Sequence, residues 1–222
     1  MKAELVKVFT GEQKKKSRFS WTLDENKYLT LQEVEKLRES CEREKNQALK
    51  TGSFTAIRDW FVVELGLNAG LRVKEITGLK HSDILINGKQ SSIIAIGKKG
   101  KKRSVWISKD FKEKCLWFID WKQKRGFSIN PDSSLITSRT DLPVTTRALQ
   151  KAFKKCIRRA GLPSHYSIHC LRHTYGSHLY KSSGNNIRLV QKQLGHSSVR
   201  VTEVYANLMS KDAKIAVEGL YK

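Results

Sequence analysis

Several features common to membrane and secreted proteins are missing from the sequence. It contains no long apolar run and no basic amphipathic anchor, which argues against membrane binding. The N-terminus, Met1-Lys2-Ala3-Glu4, is charged and has no apolar h-region, so no signal peptide is predicted. Internal repeats, low-complexity tracts and nucleotide-binding loops are absent from the sequence as well. For a chain of 222 residues, we expect one large cytoplasmic domain, or such a domain with an arm.

Cysteine is scarce and lacks the spacing of a metal or redox motif. Cys41, Cys115, Cys156 and Cys170 contain no Cys-x-x-Cys pair, and each lies in a helical pattern. We expect them to be reduced thiols in the core of a cytoplasmic protein. A zinc site at Cys170 and His173 would need a second ligand pair with metal spacing, which the sequence does not contain. We therefore expect no metal and no other cofactor.

Acidic residues are few, and this imbalance is the strongest signal in the composition. The chain has 43 Lys and Arg against 21 Asp and Glu, which gives a formal net charge of +22. A disordered basic tail would concentrate the excess at one end. Instead it is spread along the chain, with clusters at 14–16, 98–103, 122–125 and 154–159. This distribution favours a polyanionic partner, and we expect nucleic acid.

Hydrophobic periodicity predicts a mainly α fold (α+β) with one small sheet. Thr30 and Glu33 have the spacing of a capping box, and apolar residues at helical spacing follow them. Thr51-Gly52 is expected to end this first helix. The apolar run from Trp60 to Leu67 predicts a central core helix. The predicted helices span about 31–50, 55–68, 72–79, 109–125, 146–160, 169–181, 186–194, 199–207 and 210–220.

The middle of the chain has the composition of short strands. Segments 84–86, 92–96 and 104–107 are rich in β-branched residues, with turns at Asn87-Gly88 and Lys99-Gly100 between them, and predict a three-stranded antiparallel sheet. Five of the six residues 98–103 are basic. Such a density of like charge is costly on a free turn and suits a phosphate backbone. The alternative is a solvated basic loop that follows DNA without chemistry.

Polar residues suited to a phosphate are concentrated in 167–207. His169 and Arg172 are three residues apart and share one helical face. Two cations on one face repel unless an anion lies between them, and a planar guanidinium binds two phosphate oxygens at once. His196 adds a hydrogen-bond donor and Tyr205 an oxygen nucleophile. The alternative is that the histidines lie on helix surfaces and that Tyr205 is a core aromatic residue.

A second candidate motif is Gly70-Leu71-Arg72-Val73-Lys74-Glu75. Arg72 is expected to begin a helix directly after a glycine break, where a helix N-terminus favours an anion. Glu75 lies three residues further on and could orient the guanidinium. An ordinary ion pair at a helix start would give the same pattern.

Together these motifs resemble those of the tyrosine recombinase (phage integrase) family, in its catalytic domain. The segment His169-Cys170-Leu171-Arg172-His173-Thr174 is similar to the family's His-x-Leu-Arg-His-[Ser/Thr] signature. Leu194-Gly195-His196-Ser197 and Tyr205 are similar to its C-terminal signature, and 70–75 is similar to its first-arginine motif. The resemblance covers about 28–208. The combined pattern is specific, although each motif alone is weak.

The resemblance implies a site-specific DNA recombinase that cuts and rejoins DNA through a 3′-phosphotyrosine intermediate, in integration, excision or inversion. Arg72 and Arg172 would bind the scissile phosphate and stabilise its transition state. His169 would donate a hydrogen bond to the phosphate and assist proton transfer. His196 would be a further donor, and Tyr205 would be the nucleophile.

The resemblance also implies roles for residues around these positions. Glu75 matches the acidic residue that supports the active site. Lys98 fits the hairpin lysine that protonates the leaving 5′ oxygen, although Lys99 and Lys101 are close in the same turn. Contacts to double-stranded DNA are expected from Lys99, Lys101, Lys102, Arg103, Arg147 and His173.

The N-terminus departs from the pattern of the family. Residues 1–27 are predicted to be a basic arm, either packed on the body or touching DNA, and 28–222 to be the catalytic domain. A typical member has a preceding core-binding domain of about 80–100 residues, an ordinary domain size. We therefore expect a catalytic fragment, or a short single-domain member resembling fimbrial-switch invertases.

The resemblance has further implications for assembly and location. The tail 206–222 is expected to pack on a neighbouring protomer of a homo-tetramer on paired DNA sites, or else to fold back on its own body. Accessory DNA-bending proteins and a nucleoid-associated location in the cytoplasm are also expected.

Two other functions are compatible with the same motifs. A non-catalytic DNA-binding accessory protein would keep the fold without the chemistry, but every catalytic position is filled. A type IB topoisomerase-like enzyme would use similar chemistry. The Leu194-Gly195-His196 signature favours recombination over relaxation.

Overall fold

A computed structural model describes residues 27–86, 91–97 and 100–196. They form a helical body with one small sheet, which confirms the predicted fold class. No helix in these ranges is long and apolar enough to cross a membrane. The elements in chain order are α1 (Leu31–Thr51), α2 (Phe54–Ala69), α3 (Val73–Thr77), a 3-10 turn (His81–Asp83), β1 (Ile84–Leu85), β2 (Ser92–Ile96), β3 (Lys102–Trp106), α4 (Lys109–Lys124), α5 (Thr146–Arg159), α6 (His169–Ser182) and α7 (Ile187–Leu194).

Some predictions fall outside the described residues. These are the arm before residue 27, the turn at Asn87-Gly88, and the helices expected at 199–207 and 210–220. The boundary between arm and catalytic domain therefore stays a prediction.

The start of α1 has the predicted capping box. The Glu33 N–H donates to Thr30 Oγ1 at 3.2 Å, and the Thr30 N–H donates to Glu33 Oε2 at 2.9 Å. Gly52, with φ of 77°, ends the helix in the left-handed region that favours glycine. The Tyr166 hydroxyl donates to the same Glu33 carboxylate, 3.0 and 3.1 Å from its two oxygens. The cap therefore joins the start of α1 to the segment before α6.

The helix α2 is the centre of the hydrophobic core. Phe61 is fully buried and stacks on Phe118 of α4, with ring centroids 4.0 Å apart. Gly66 brings α2 close to α6, because a Cβ added there would lie 2.6 Å from Leu171 Cδ1. This contact places the first turn of α6 beside Gly70, the residue that ends α2.

The sheet has the strand order β1-β2-β3 and is antiparallel throughout, as predicted. Its third strand begins at Lys102, two residues before the predicted start at Ser104. The reason is that Lys102 and Arg103 continue the ladder and pair with the end of β2. A run of basic residues is typical of an exposed turn, but the strand continues through it. This difference changes the placement of Arg103.

The four cysteines are buried free thiols, as predicted. Burial raises the pKa of Cys115 to about 12, and it likewise raises that of Cys170 to about 12. Both thiols are therefore protonated at neutral pH and act as small apolar side chains.

Candidate active site

Arg72 and Glu75 form one side of the site, at the start of α3. The Arg72 backbone N–H donates to Glu75 Oε2 at 2.7 Å, and its Nη1 donates to Oε1 at 2.8 Å. The Glu75 side chain is 2% exposed, whereas that of Arg72 is 40% exposed. A buried carboxylate thus holds an arginine that stays partly open to solvent.

Arg172 forms the other side and is positioned by two carbonyl groups. Its Nη1 donates to the Gly70 oxygen at 2.6 Å, and its Nη2 donates to the Leu194 oxygen at 2.7 Å. Gly70 ends α2 and Leu194 ends α7. Arg172 therefore joins two motifs that are more than 120 residues apart in sequence, and only 6% of the residue is exposed.

Arg103 is not where the sequence placed it. It was predicted to contact DNA from the hairpin, but its Nη1 and Nη2 donate to the two Glu75 carboxylate oxygens at 2.7 and 2.9 Å. Its Nε donates to the Gln193 carbonyl at 3.0 Å, and the side chain is 13% exposed. Because Arg103 belongs to β3 and not to the turn, its side chain points into the site.

Two arginines contact the Glu75 carboxylate, and the charge of a third, Arg172, acts on it. Burial alone raises the pKa of Glu75. The hydrogen bonds and charge of Arg103, the backbone N–H of Arg72 and the charge of Arg172 outweigh this effect and lower the pKa to about 2. Glu75 is therefore ionised at neutral pH, and it draws together cations from β3, α6 and the start of α3.

Two histidines lie in the field of these arginines. Burial, followed by the charges of Arg172 and Arg72, lowers the pKa of His196 to about 3. Burial and the charge of Arg172 lower the pKa of His173 to about 4. Both imidazoles are neutral at pH 7, and a neutral imidazole donates one hydrogen bond. His169, at the start of α6, is exposed.

A cavity of about 470 Å³ opens beside Arg72 and Glu75. His169 lines it from α6, and Gly97 lines it from the end of β2. The structure therefore brings Arg72, Glu75 and His169 to one opening. Arg172 acts on Glu75 through its charge, and His196 lies in the field of Arg172 and Arg72. A phosphoryl group is an anion of suitable size and charge for such a place.

One face of α5 is a set of exposed basic side chains that the sequence predictions covered only in part. Arg147 was predicted to contact DNA and is exposed. Four more basic residues follow it at helical spacing, opposite the buried face of the helix. The signal was present in the sequence as the repeat at three and four residues. We call this surface the α5 basic face; it consists of Arg147, Lys151, Lys154, Lys155 and Arg158.

The α5 basic face reaches the active site. Arg147, Lys151 and Lys154 line a groove of about 570 Å³ whose other side includes His169. His169 also borders the cavity beside Arg72. The groove along the α5 basic face and the cavity beside Arg72 therefore meet at His169.

The remaining predicted positions divide into exposed and undescribed ones. Lys101 and Lys102 are exposed. Lys98, Lys99 and Tyr205 lie outside the described residues. Within 27–86, 91–97 and 100–196, no group of three or more His, Cys, Asp or Glu side chains could hold a metal ion.

Comparison with known proteins identifies the family. The model of the phage integrase family matches residues 27–211, and the chain therefore belongs to this family. The tyrosine recombinase XerC of Vibrio atlanticus (strain LGP32) is 35% identical over 154 residues, which are 69% of this chain and 48% of that protein. The XerC of Caldanaerobacter subterraneus subsp. tengcongensis is 30% identical over 191 residues, 86% of this chain and 50% of that protein. The chain spans about half the length of these curated relatives.

Solved structures share the fold. A XerA recombinase superposes with a TM-score of 0.70 at 23% identity, over 88% of this chain and 65% of that one. The XerH site-specific recombinase bound to a palindromic difH substrate, in a post-cleavage complex, gives a TM-score of 0.71 at 24% identity, over 88% of this chain and 53% of that one. The helical body and its small sheet are thus those of recombinase catalytic domains.

Proposed function

We propose that this chain is the catalytic part of a tyrosine-type site-specific recombinase, which cuts and rejoins double-stranded DNA. The observation that carries the proposal is the contact of Arg72 and Arg103 with the buried carboxylate of Glu75, on which Arg172 also acts through its charge. Its relatives are named tyrosine recombinases. The similar XerH structure is described as a post-cleavage complex with its DNA substrate.

In the proposed reaction, the 3′-phosphoryl group of one DNA strand is transferred to tyrosine. Tyr205 gives its proton to His169 and its oxygen attacks phosphorus, the bond to the 5′ oxygen breaks, and that oxygen takes a proton from Lys98. Attack by a 5′-hydroxyl reverses the step, so the bond energy is conserved in the 3′-phosphotyrosine. A phenol, with an ordinary pKa of about 10, is a weak nucleophile at pH 7. A strongly cationic field would favour its ionisation.

The described residues would stabilise the charge that develops on the phosphate. Arg72 and Arg172 would bind its non-bridging oxygens, because preorganised guanidiniums act without reorganisation during the reaction. His169 and His196 would donate further hydrogen bonds. Neutral His196 suits this role, because it donates a hydrogen bond without adding a further positive charge beside the arginines.

The α5 basic face and the lysines of the hairpin would hold the DNA backbone. The α5 basic face carries five exposed cations on one helix, and Lys101 and Lys102 are exposed beside the β2–β3 turn. Lysine and arginine bind phosphates without reading sequence. We place the chain at the nucleoid in the cytoplasm on this basis, since its substrate would be DNA.

An apolar groove supports the proposed homo-tetramer. It has a volume of about 830 Å³ between the start of α1 and the end of α6, and Leu31, Tyr175 and Leu179 line it. Leu31 is 74% exposed, so an apolar side chain at the edge of this groove is open to solvent. We propose that the tail 206–222 of a neighbouring protomer fills this groove, since that tail contains Ile215 and Leu220. DNA-bending proteins would assist assembly.

Trapping the covalent complex tests the proposal. The full chain is expressed in cells, the cells are lysed under denaturing conditions, and DNA attached to the protein is sequenced. We expect recovery of a defined DNA site with the unmodified chain and none with Tyr205→Phe, which lacks the nucleophilic oxygen. Tyr180→Phe is the matched control, because the Tyr180 ring is buried in a small apolar cluster of α6 and α7 and its hydroxyl has no role in the proposed chemistry, so the adduct should remain.

Two outcomes would contradict the proposal. An adduct that persists in Tyr205→Phe would show that another residue is the nucleophile. The absence of any adduct with the unmodified chain would favour a DNA-binding protein without catalysis.

A further inference from the structure

All three side-chain nitrogens of Arg103 donate hydrogen bonds within the protein, which a residue that only contacts DNA would not need. Two of its nitrogens hold both oxygens of Glu75. The third nitrogen, Nε, donates to the Gln193 carbonyl in the last turn of α7. Such a bidentate pair fixes direction as well as distance, because both groups are planar. Arg103 therefore joins β3, α3 and α7.

Neighbouring contacts strengthen the connection between β3 and α7. The Gln193 side-chain oxygen accepts from the Trp106 backbone N–H at 3.1 Å. The next carbonyl along α7, that of Leu194, accepts from Arg172 at 2.7 Å. The end of α7 is thus held from one side by the sheet and from the other by the arginine proposed to bind the phosphate.

Gly195 leaves space for Arg103. Its φ is +65°, in the left-handed region, and a Cβ added there would lie 2.4 Å from Arg103 Cδ and 2.9 Å from its Nε. The arginine side chain therefore crosses the backbone at Gly195, between α7 and His196. Glycine in the Leu194-Gly195-His196 signature is required here by this crossing as well as by the turn.

We propose that Arg103 is a positioning residue for the cleavage reaction: it keeps the carboxylate of Glu75 ionised and aligned under Arg72, and it fixes the β2–β3 hairpin against the segment that carries His196. The inference rests on the proposed function, because it assigns the reaction that Arg103 supports. In the sequence, Lys98 lies between β2 and β3, five residues before Arg103. The general acid and the phosphate-binding residues would therefore share one anchor.

The charges around Glu75 explain why Arg103 is needed. The groups that face it are Arg72 from its own turn, Arg103 from β3 and Arg172 from α6, and neutral His196 lies near the same arginines. Burial opposes ionisation of the carboxylate. Without Arg103, the Glu75 carboxylate loses two hydrogen bonds and its nearest positive charge. Protonation of Glu75 would in turn weaken its hydrogen bonds with Arg72.

The first test measures the Glu75 carboxyl directly, without DNA. The full chain is labelled with ¹³C at glutamate carboxyls, and the Glu75 signal is identified by its loss in Glu75→Gln. We expect no titration of this signal between pH 4 and 8 in the unmodified chain. In Arg103→Met we expect it to titrate within that range. Arg159→Met is the control, because Arg159 is in an exposed pair with Glu44.

The second test measures cleavage of the DNA site recovered by trapping, under single-turnover conditions. We expect Arg103→Met to lower the rate constant by about 10²-fold, the scale of a small misplacement of reacting groups, with unchanged DNA affinity. The loss should deepen as pH falls, since Glu75 then protonates. Arg103→Lys should restore part of the rate, and Glu75→Gln with Arg103→Met should be no slower than Glu75→Gln alone.

The outcomes separate this inference from the proposed function. An unmodified chain that does not cleave DNA contradicts the proposed function, while the carboxyl titration still decides the role of Arg103 in the network. A Glu75 signal that does not titrate in Arg103→Met overturns the inference. So does a cleavage rate in Arg103→Met or Arg103→Lys that follows the unmodified chain at every pH. Circular dichroism establishes that each variant is folded, and Arg103→Lys serves if Arg103→Met is not.

Discussion

Glu75 is the residue on which the other charges of the site depend. Its carboxylate accepts from the backbone and side chain of Arg72 and from two nitrogens of Arg103. A buried charge with this many donors is stable, whereas each arginine without it would be a cation held near other cations. The carboxylate therefore holds two guanidiniums together and leaves Arg72 partly exposed, where it is proposed to bind the phosphate.

The pKa of Glu75 predicts how stability changes with pH. Donation from Arg103 outweighs burial and lowers the pKa from 4.5 to about 2, a displacement equivalent to about 3 kcal/mol. Because the folded pKa is the lower one, this stability is present above the unfolded pKa and is lost as pH falls from about 5 towards 2. We expect Glu75→Gln to destabilise the chain by about 3 kcal/mol at pH 7 and by much less at pH 3.

Urea unfolding of both chains at several pH values measures the difference. Glu113→Gln is the matched control, since Glu113 is exposed on α4 and should change stability little at any pH. A difference between Glu75→Gln and the unmodified chain that is constant from pH 7 to pH 3 would contradict the assigned ionisation of Glu75.

Local spacing predicted the contacts between site residues that lie within one sequence motif. Glu75 was paired with Arg72 because they are three residues apart, and the structure confirms that pair. The partnership of Glu75 with Arg103 spans 28 residues and depends on where β3 begins. A basic residue in a basic run gave no sign that its side chain turns inward. Charge patterning predicts the class of partner that a surface binds. It cannot show which basic residue of a run, here Arg103, faces the interior.

Helix boundaries were predictable wherever a cap or a glycine marks them. The first helix was expected at about 31–50 and spans Leu31–Thr51, because Thr30 and Gly52 determine its two ends. The long connection 126–143 contained no such signal. It forms isolated bridges between Lys80 and Ser134 and between Thr137 and Pro143, pairings that depend on tertiary contacts instead of local sequence.

The groove between α1 and α6 leads to a prediction about assembly. A carboxylate in an apolar groove has a high desolvation cost, so Leu31→Glu should prevent the tail of a neighbouring protomer from binding there. Because Leu31 is 74% exposed, the fold should be unaffected. We expect one protomer to bind and cleave the recovered DNA site as before, while the paired complex of two sites is lost.

Gel mobility of DNA carrying two sites distinguishes these species. Leu142→Glu provides the control, since Leu142 is 64% exposed in the connection between α4 and α5 and does not line the groove. Equal formation of the paired complex by the two variants would show that the groove has no part in assembly.

At the scale of the whole molecule, part of the net charge of +22 is concentrated on one surface. Exposed cations follow one face of α5 to His169, whereas the buried face of the same helix is apolar, with Leu149 and Phe153 in the core. The excess charge on this surface would be matched by the phosphates of a bound polyanion. The composition predicted a polyanionic partner, but only the fold gathers the charge beside the candidate catalytic residues.

Salt dependence of DNA binding measures how many of these cations contact phosphate. The logarithm of the binding constant falls linearly with the logarithm of salt concentration, with a slope of about −0.9 for each phosphate neutralised. We expect the double change Lys151→Gln and Arg158→Gln to make this slope shallower by about 2, on duplex DNA of any sequence. Fluorescence anisotropy between 50 and 300 mM salt, about the range in which such binding weakens steeply, gives the slope.

The matched control removes the same amount of charge from another surface. Lys36 and Lys50 are exposed on α1, so Lys36→Gln with Lys50→Gln lowers the net charge equally without changing the α5 basic face. If long-range attraction alone determined affinity, the salt-dependence slope would become shallower by the same amount in the two double variants. If the α5 basic face touches the backbone, only the α5 pair changes the number of released counterions, because release requires contact with the DNA.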